Sequence, residues 1–200
     1  MESFLLFLRS HGMATAHPLC RWRQFAVALF CAGCAVIGVT VSAAPLAAIV
    51  RDAAGAVVAD AVVYAIPAAG TAAGPRSARN VVIEQVGREF VPYVTVVQAG
   101  TTVAFPNRDK LLHHVYSFSP AKTFEIKLYS GAAPFDVLFD KVGVVTIGCN
   151  IHDWMIAYVY VVDTPYFARS DSAGKAAVGE VAAGEYDLYL WHPQQRNQPA

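Results

Sequence analysis

From about residue 45 onward, hydrophobic and polar residues alternate in short runs with the period of two that is typical of β-strands. Clusters of Gly, Pro, Asn and Asp separate the runs roughly every ten residues, and none of the runs has a convincing helical period. This spacing predicts an all-β sandwich. The predicted strands are Ala47–Val50, Ala61–Ile66, Val81–Gln85, Phe90–Val97, Thr101–Phe105, His113–Phe118, Thr123–Leu128, Phe135–Phe139, Val144–Gly148, Ile156–Val162, Ala176–Val181 and Glu185–Trp191.

Two changes in composition divide this pattern. Residues 67–80 are rich in Pro, Gly and Ala and predict a linker, and a second shift follows Pro165. We therefore predict N-terminal flanking strands at 45–66, a central sandwich at 81–165, C-terminal flanking strands at 166–193 and a polar tail at 194–200. The flanks either pair with each other as a small separate unit or extend one sandwich, and the pattern is compatible with both.

The N-terminal 44 residues have the features of a signal peptide. Arg21 and Arg23 precede the apolar run Phe25–Val41, and small residues follow up to Ala43 and Ala44, where cleavage is expected. The alternative is an uncleaved membrane anchor, since the run is near the lower length limit for spanning a bilayer. Cleavage predicts a periplasmic protein without stable membrane insertion.

Composition limits the classes of function. The 200 residues allow one or two small domains. Only 15% are charged, and 15 Lys and Arg balance 15 Asp and Glu. Because no basic stripe is present, nucleic acid is not expected as a partner.

Removal of the leader would leave Cys149 as the single cysteine, because the other three lie upstream of residue 44. A lone cysteine in an exported protein cannot form an internal disulfide, and an exposed thiol would be oxidised. Cys149 is therefore either a metal ligand or a buried, inert thiol.

The residues near Cys149 favour the metal. Cys149, His152 and Met155 follow a predicted strand, and the pair His113-His114 begins another strand upstream. One thiolate, two imidazoles and a distant thioether suit copper in a trigonal site with a weak axial Met, whereas zinc sites rarely recruit Met. Strand alternation does not decide between the two upstream histidines.

The motifs around these residues resemble those of the cupredoxins. Phe105-Pro106-Asn107 is followed at the sixth residue after Asn107 by His113, and Phe139 and Gly143 precede the Cys149–Met155 motif in the cupredoxin register. The similarity covers about Val81 to Asp163. The chain resembles especially the small plastocyanin- and amicyanin-like blue copper proteins, including periplasmic proteins of the methylamine-utilization type.

The resemblance implies a cupredoxin-like Greek-key β-sandwich with extra flanking strands. It also implies one type-1 copper ion bound by His113, Cys149, His152 and Met155. His114 stands where these proteins usually carry an Asn, which leaves open how the site is braced. In the family the loop histidine, here His152, is the electron port; Trp154 beside it would either dock a partner or pack in the core.

A weaker resemblance concerns the flanks. The sequences VRDAAGAVVADAVVYAIP and DSAGKAAVGEVAAGEYDLYLWHP are similar to the first and last parts of carboxypeptidase-regulatory or transthyretin-like sandwiches. This similarity implies an accessory β-unit formed by the two flanks.

The implied function is single-electron transfer between unidentified protein redox partners in the periplasm. The alternative is a periplasmic protein that binds and delivers copper without redox turnover. We do not expect an enzyme, because four protein ligands leave no open position for a substrate and no GxSxG-type signature is present.

Overall fold

The structure is a computed structural model that describes residues 5–8, 43–69, 81–133 and 135–195. These residues form strands and turns without a helix, so the all-β prediction is confirmed. The strands are β1 (Leu5–Leu8), β2 (Ala44–Arg51), β3 (Val62–Pro67), β4 (Val81–Val82), β5 (Glu84–Val86), β6 (Glu89–Val91), β7 (Val94–Gln98), β8 (Thr101–Ala104), β9 (His113–Ser119), β10 (Lys122–Tyr129), β11 (Val137–Phe139), β12 (Gly143–Gly148), β13 (Ile156–Val162), β14 (Phe167–Arg169), β15 (Lys175–Val181) and β16 (Tyr186–Trp191).

Two sheets form the central sandwich. The larger has the order β10-β9-β12-β13-β7, and the smaller has the order β11-β8-β4. The pairs β13–β7 and β4–β8 are parallel, and the other pairs are antiparallel. Apolar residues from both sheets share one buried cluster, which includes Val103 and Val137 on one side and Val115, Ile126 and Val145 on the other. The alternating pattern therefore lines the space between the sheets.

The flanking strands form two further sheets, with the orders β1-β2-β15 and β14-β3-β16. In both, a strand from before the central sandwich pairs antiparallel with one from after it. A separate small cluster lies among them, consisting of Ala48, Val50, Ala61, Val63 and Ala176. The two flanks thus pair with each other, while the domain boundaries remain a prediction.

Aromatic side chains connect the flanks to the central sandwich. Tyr158 and Tyr160 of β13 pack against Trp191 of β16, with ring centroids 5.8 and 5.0 Å apart. The hydroxyls of Tyr64 and Tyr160 are hydrogen-bonded at 3.2 Å. Burial and this hydrogen bond raise the pKa of Tyr64 well above its ordinary value. The contact is therefore a partly buried aromatic layer with a polar link.

Two predicted strands are divided in the structure, and the short strand β14 was not predicted. The run Val81–Gln85 is divided into β4, which pairs with β8, and β5, which pairs with β6. The change of pairing partner occurs at the buried Ile83. The run Phe90–Val97 is also two strands, interrupted at Pro92, which has no N–H for a ladder. β14 was not predicted, since its three residues are too few to show a period.

Several predictions fall wholly or partly outside the described residues. These are most of the leader, residues 70–80 of the linker and residues 196–200 of the tail. Within the leader, β1 pairs antiparallel with β2. The described part of the chain contains no helix long and apolar enough to cross a bilayer. Cleavage and export therefore remain predictions.

Candidate metal centre

The connection between β12 and β13 carries three of the predicted ligands. Gly148 pairs with Ile156 at the open end of this antiparallel pair, so the intervening residues form a short closed loop. The Cys149 N–H donates to the Met155 carbonyl at 3.2 Å, and the Met155 N–H donates to the His152 carbonyl at 2.9 Å. These bonds turn the chain back on itself, which brings the His152 side chain towards Cys149.

His113 reaches the same place from a neighbouring strand. It is the first residue of β9, which lies beside β12 in the sheet, and Tyr116 of β9 pairs with Gly148. The start of β9 is therefore next to the end of β12, where Cys149 follows. Sheet topology brings together residues that are 36 positions apart in sequence.

The distances among the three side chains fit a shared ion. Cys149 Sγ lies 3.9 Å from His113 Nδ1 and 3.7 Å from His152 Nδ1. The ligand atoms of the three residues all lie within 4.8 Å of one another. Ligands about 2.0–2.3 Å from an ion, the range known for zinc, are roughly 3.5–4 Å apart when spread trigonally. The residues thus form a cluster that can hold a metal ion.

The chemistry of the donors narrows the choice of metal. A thiolate and two imidazole nitrogens in a trigonal arrangement suit copper. Cys149 is a free, buried cysteine and has no disulfide. His113 is fully buried and Cys149 is 4% exposed, so neither ligand is open to bulk solvent.

Met155, the predicted axial ligand, lies at the end of the same loop. It is 2% exposed and belongs to the main hydrophobic cluster together with Cys149. Both residues also border a surface groove of about 420 Å³ that Tyr116 and Ile156 help to line. The structure thus brings Met155 next to the site, and its coordination of the ion remains a prediction.

The second histidine of the pair lies outside the cluster. His114 Nε2 is 3.1 Å from Glu125 Oε1, although the two atoms are not aligned as a hydrogen bond. Its ring also contacts the ring of Tyr116, with centroids 5.8 Å apart. Of the two histidines, the structure brings His113 to Cys149.

Asn107 shapes the loop that leads to His113. Its Nδ2 donates to the carbonyls of Leu111 and Tyr129, both at 2.8 Å, and its Oδ1 accepts the Asp109 N–H at 2.9 Å. The side chain is 3% exposed, so these bonds satisfy a buried amide. Asn107 therefore braces the loop from within.

Sequence reasoning missed Asp109. Its Oδ2 lies 2.8 Å from His113 Nε2, on the side of the ring opposite Cys149. Burial disfavours the charged carboxylate, but the N–H groups of Arg88 and Gly87 and the His113 side chain outweigh it and lower the pKa of Asp109. In the sequence, the only sign of this role is that Asp109 lies four residues before the predicted ligand His113. The loop between them has no periodic pattern that would predict their contact.

An exposed aromatic side chain lies beside His152 in the loop. Trp154 is 63% exposed, and its ring centroid is 5.4 Å from that of His152. Ile151, Leu111 and Leu112 are also exposed. Of the two alternatives for Trp154, the surface position is the observed one.

Solved structures of several copper proteins are similar to this chain. One is a copper-containing nitrite reductase from Thermus scotoductus SA-01, with 24% identity and a TM-score of 0.40 over 48% of this chain and 25% of that one. A second is a purple cupredoxin from Nitrosopumilus maritimus, with 23% identity and a TM-score of 0.37 over 42% and 100%. A third is a reduced mutant of amicyanin, with 20% identity and a TM-score of 0.39 over 50% and 99%.

The chain thus spans a quarter of the length of that nitrite reductase. No family model and no curated protein matches the chain. The TM-scores of 0.37 to 0.40 are too low for these likenesses to indicate a function.

Proposed function

We propose that this protein is a type-1 copper protein that carries single electrons between protein redox partners. The observation that carries the proposal is the position of Cys149 Sγ, 3.7 and 3.9 Å from the Nδ1 atoms of His152 and His113. A thiolate between two imidazoles, with a Met at the end of the same loop, is the donor set of an electron-transfer copper site.

The protein residues would keep the geometry constant. Cys149 would bind as the thiolate, because a bound cation lowers the pKa of a coordinating thiol enough to deprotonate it. Bound copper supplies one-electron redox chemistry at such a site. His113 and Cys149 come from adjacent strands of a packed sheet, and Met155 is buried in the same core. A small rearrangement between oxidation states keeps the barrier to electron transfer low.

His152 is the proposed exit for the electron. It is less buried than His113, and its ring centroid lies 5.0 Å from that of His113. The exposed ring of Trp154 packs beside it, and the exposed Ile151 precedes it in the loop, so a partner protein could bind to apolar side chains there. The predicted leader would place this exchange in the periplasm.

The alternative, copper delivery without redox turnover, requires ligands that can exchange with a partner. Cys149 and Met155 are only 4% and 2% exposed, which favours a permanently held ion. Catalysis is not proposed, since three ligands and an axial Met would leave no position for a substrate.

The test is to add Cu(II) to the protein and to record visible absorption and electron paramagnetic resonance. We expect an intense charge-transfer band with the narrow copper hyperfine splitting of a type-1 site. Cys149→Ser should abolish the band. His113→Ala should also abolish it, whereas His114→Ala, the matched control on the next residue, should retain it.

Two results would contradict the proposal. One is a colourless complex or an ordinary tetragonal Cu(II) spectrum in the wild-type protein. The other is equal loss of the band in His113→Ala and His114→Ala, because only the first residue lies in the cluster.

A further inference from the structure

We propose that Asp109 is a positioning residue that fixes the ring of His113 for metal binding. The turn between β5 and β6 holds Asp109 in place, and its negative charge favours the oxidised form of the bound ion. This inference rests on the proposed copper function. It concerns a carboxylate that lies outside the predicted ligand set.

The contact between Asp109 and His113 assigns the proton on the ring. An ionised carboxylate accepts hydrogen bonds and donates none, so His113 Nε2, 2.8 Å from Asp109 Oδ2, must carry the proton. In the neutral ring Nδ1 is then free, and this is the atom that faces Cys149 Sγ at 3.9 Å. Asp109 thus selects the tautomer that can bind a metal, as partners behind metal-bound histidines commonly do.

The carboxylate is itself held in place by a tight turn. The Gly87 N–H donates to Oδ1 at 2.7 Å, and the Arg88 N–H donates to Oδ2 at 2.9 Å. Both residues have a φ of 63°, the left-handed conformation that two-residue hairpin turns of type I′ require. This conformation is uncommon for a non-glycine residue such as Arg88. It directs two consecutive N–H groups at one side chain, and such paired groups form a site for an anion.

Further contacts fix the loop that carries Asp109 against the same hairpin. The Arg108 N–H donates to the Gln85 carbonyl at 2.9 Å, and Arg108 Nε pairs with Glu84 at 2.9 Å. The Asp109 N–H in turn donates to Asn107. Asp109 is thus held both at its own N–H and at its carboxylate, which leaves it little freedom to move away from His113.

The charge of Asp109 adds a second effect. Within the described ranges the carboxylate contacts His113 and is not paired with a Lys or an Arg. A negative charge behind a ligand stabilises the more positive oxidation state of the ion more than the less positive one. Removing this charge should therefore weaken binding of Cu(II) more than binding of Cu(I).

The experiment compares Asp109→Asn with wild-type protein by competition titrations with Cu(II) and with Cu(I). We expect Cu(II) affinity to fall by about 10- to 100-fold, the range usual for such partners, while Cu(I) affinity falls less. The reduction potential should shift upwards accordingly. The matched control is Glu84→Gln, which removes one charge from the same hairpin but not from a residue that touches His113. Equal changes in the two variants would overturn the inference.

A second measurement does not depend on copper. Nitrogen-15 spectra of the metal-free protein in mildly alkaline buffer report which ring nitrogen of His113 is protonated. We expect the Nε2-protonated form in the wild type and a mixture of tautomers in Asp109→Asn. A mixture already present in the wild type would overturn the inference. If the wild type shows the expected tautomer but forms no type-1 site with copper, the proposed function fails and the positioning role of Asp109 stands.

Discussion

The hydrophobic clusters of the central sandwich and of the flanking sheets differ in the size of their residues. The central cluster contains large, fully buried side chains such as Phe105, Phe139 and Ile147, and it continues to Cys149 and Met155. The flanking cluster consists of Ala and Val, with Val50 and Val63 as its largest members.

The difference indicates how each region is held together. Burial of apolar area stabilises the central sandwich, since each large side chain contributes roughly 1.5–3 kcal/mol. The flanking sheets bury little area per residue, so close approach of the backbone and individual hydrogen bonds matter more there. The metal centre lies on the region with the larger core, and substitutions in the flanks should leave it intact.

The largest effect on stability is expected from Phe105→Ala. Phe105 is fully buried, and its ring packs against those of Phe124 and Phe139. We expect the free energy of unfolding to fall by about 3–5 kcal/mol because a cavity replaces the ring. Urea denaturation of the metal-free protein measures this change. Phe118→Ala is the control, since Phe118 is 79% exposed and its loss should have little effect.

The next largest effect is expected in the flanks, at Gly174. Its φ is +74°, and a Cβ there would lie 2.7 Å from the Val50 carbonyl oxygen. Gly174→Ala should therefore cost more than the roughly 1–3 kcal/mol of a left-handed non-glycine residue alone. Gly55→Ala isolates the conformational part, because Gly55 has a φ of +86° with nothing within 4 Å of its added Cβ. Equal losses of stability in thermal unfolding would show that the close approach is unimportant.

Ser170→Ala tests a single polar side chain of the flanks. The buried hydroxyl accepts the Ala61 N–H at 2.9 Å and donates to the Val58 carbonyl at 2.8 Å. Leaving these groups unpaired should destabilise the flanks by about 1–3 kcal/mol. Amide hydrogen exchange should show faster opening of β3 while the visible spectrum of the copper-loaded protein stays the same. An altered spectrum would count against the separation of the two regions. Exchange no faster than in the exposed Ser172→Ala would mean that the Ser170 hydroxyl does not stabilise the flanks.

The smallest effect is expected at the contact between the regions. Tyr64→Phe removes the hydrogen bond to Tyr160 but keeps the ring, which also stacks on Tyr189 with centroids 5.1 Å apart. The expected loss is about 0.5–1.5 kcal/mol. Tyr189→Phe is the matched control on the same sheet, and denaturant titrations of both variants measure the difference. Equal losses in the two variants would mean that the hydrogen bond between Tyr64 and Tyr160 does not stabilise the contact.

The strands and the metal-binding loop could be predicted from sequence because both depend on local pattern. Alternation defined β9, β12 and β13 within one residue of their observed ends. The Cys149-x2-His152 spacing by itself indicates a pair of metal ligands in one loop. The pairing of β9 with β12 then brings His113 to the same place. The divided strands were harder to predict, because the chain changes sheets at Ile83 without any break in its apolar pattern.

The support of the site could not be predicted in the same way. Asp109 is held by a hairpin turn that lies more than 20 residues earlier in the sequence. That contact depends on two residues in the left-handed conformation, one of which is Arg88. No sequence period links such positions. Strand alternation likewise could not show which of His113 and His114 binds the metal. The two residues are adjacent in sequence, and only the fold determines that His113 lies near Cys149 while His114 lies near Glu125 and Tyr116.

X-ray absorption spectroscopy at the copper edge counts the ligand atoms around the bound ion and identifies their elements. In the loaded wild-type protein we expect one short bond to sulfur and two bonds to imidazole nitrogen, nearly unchanged between the oxidised and the reduced form. Coordination by nitrogen and oxygen alone, without sulfur, would rule out a type-1 site at Cys149.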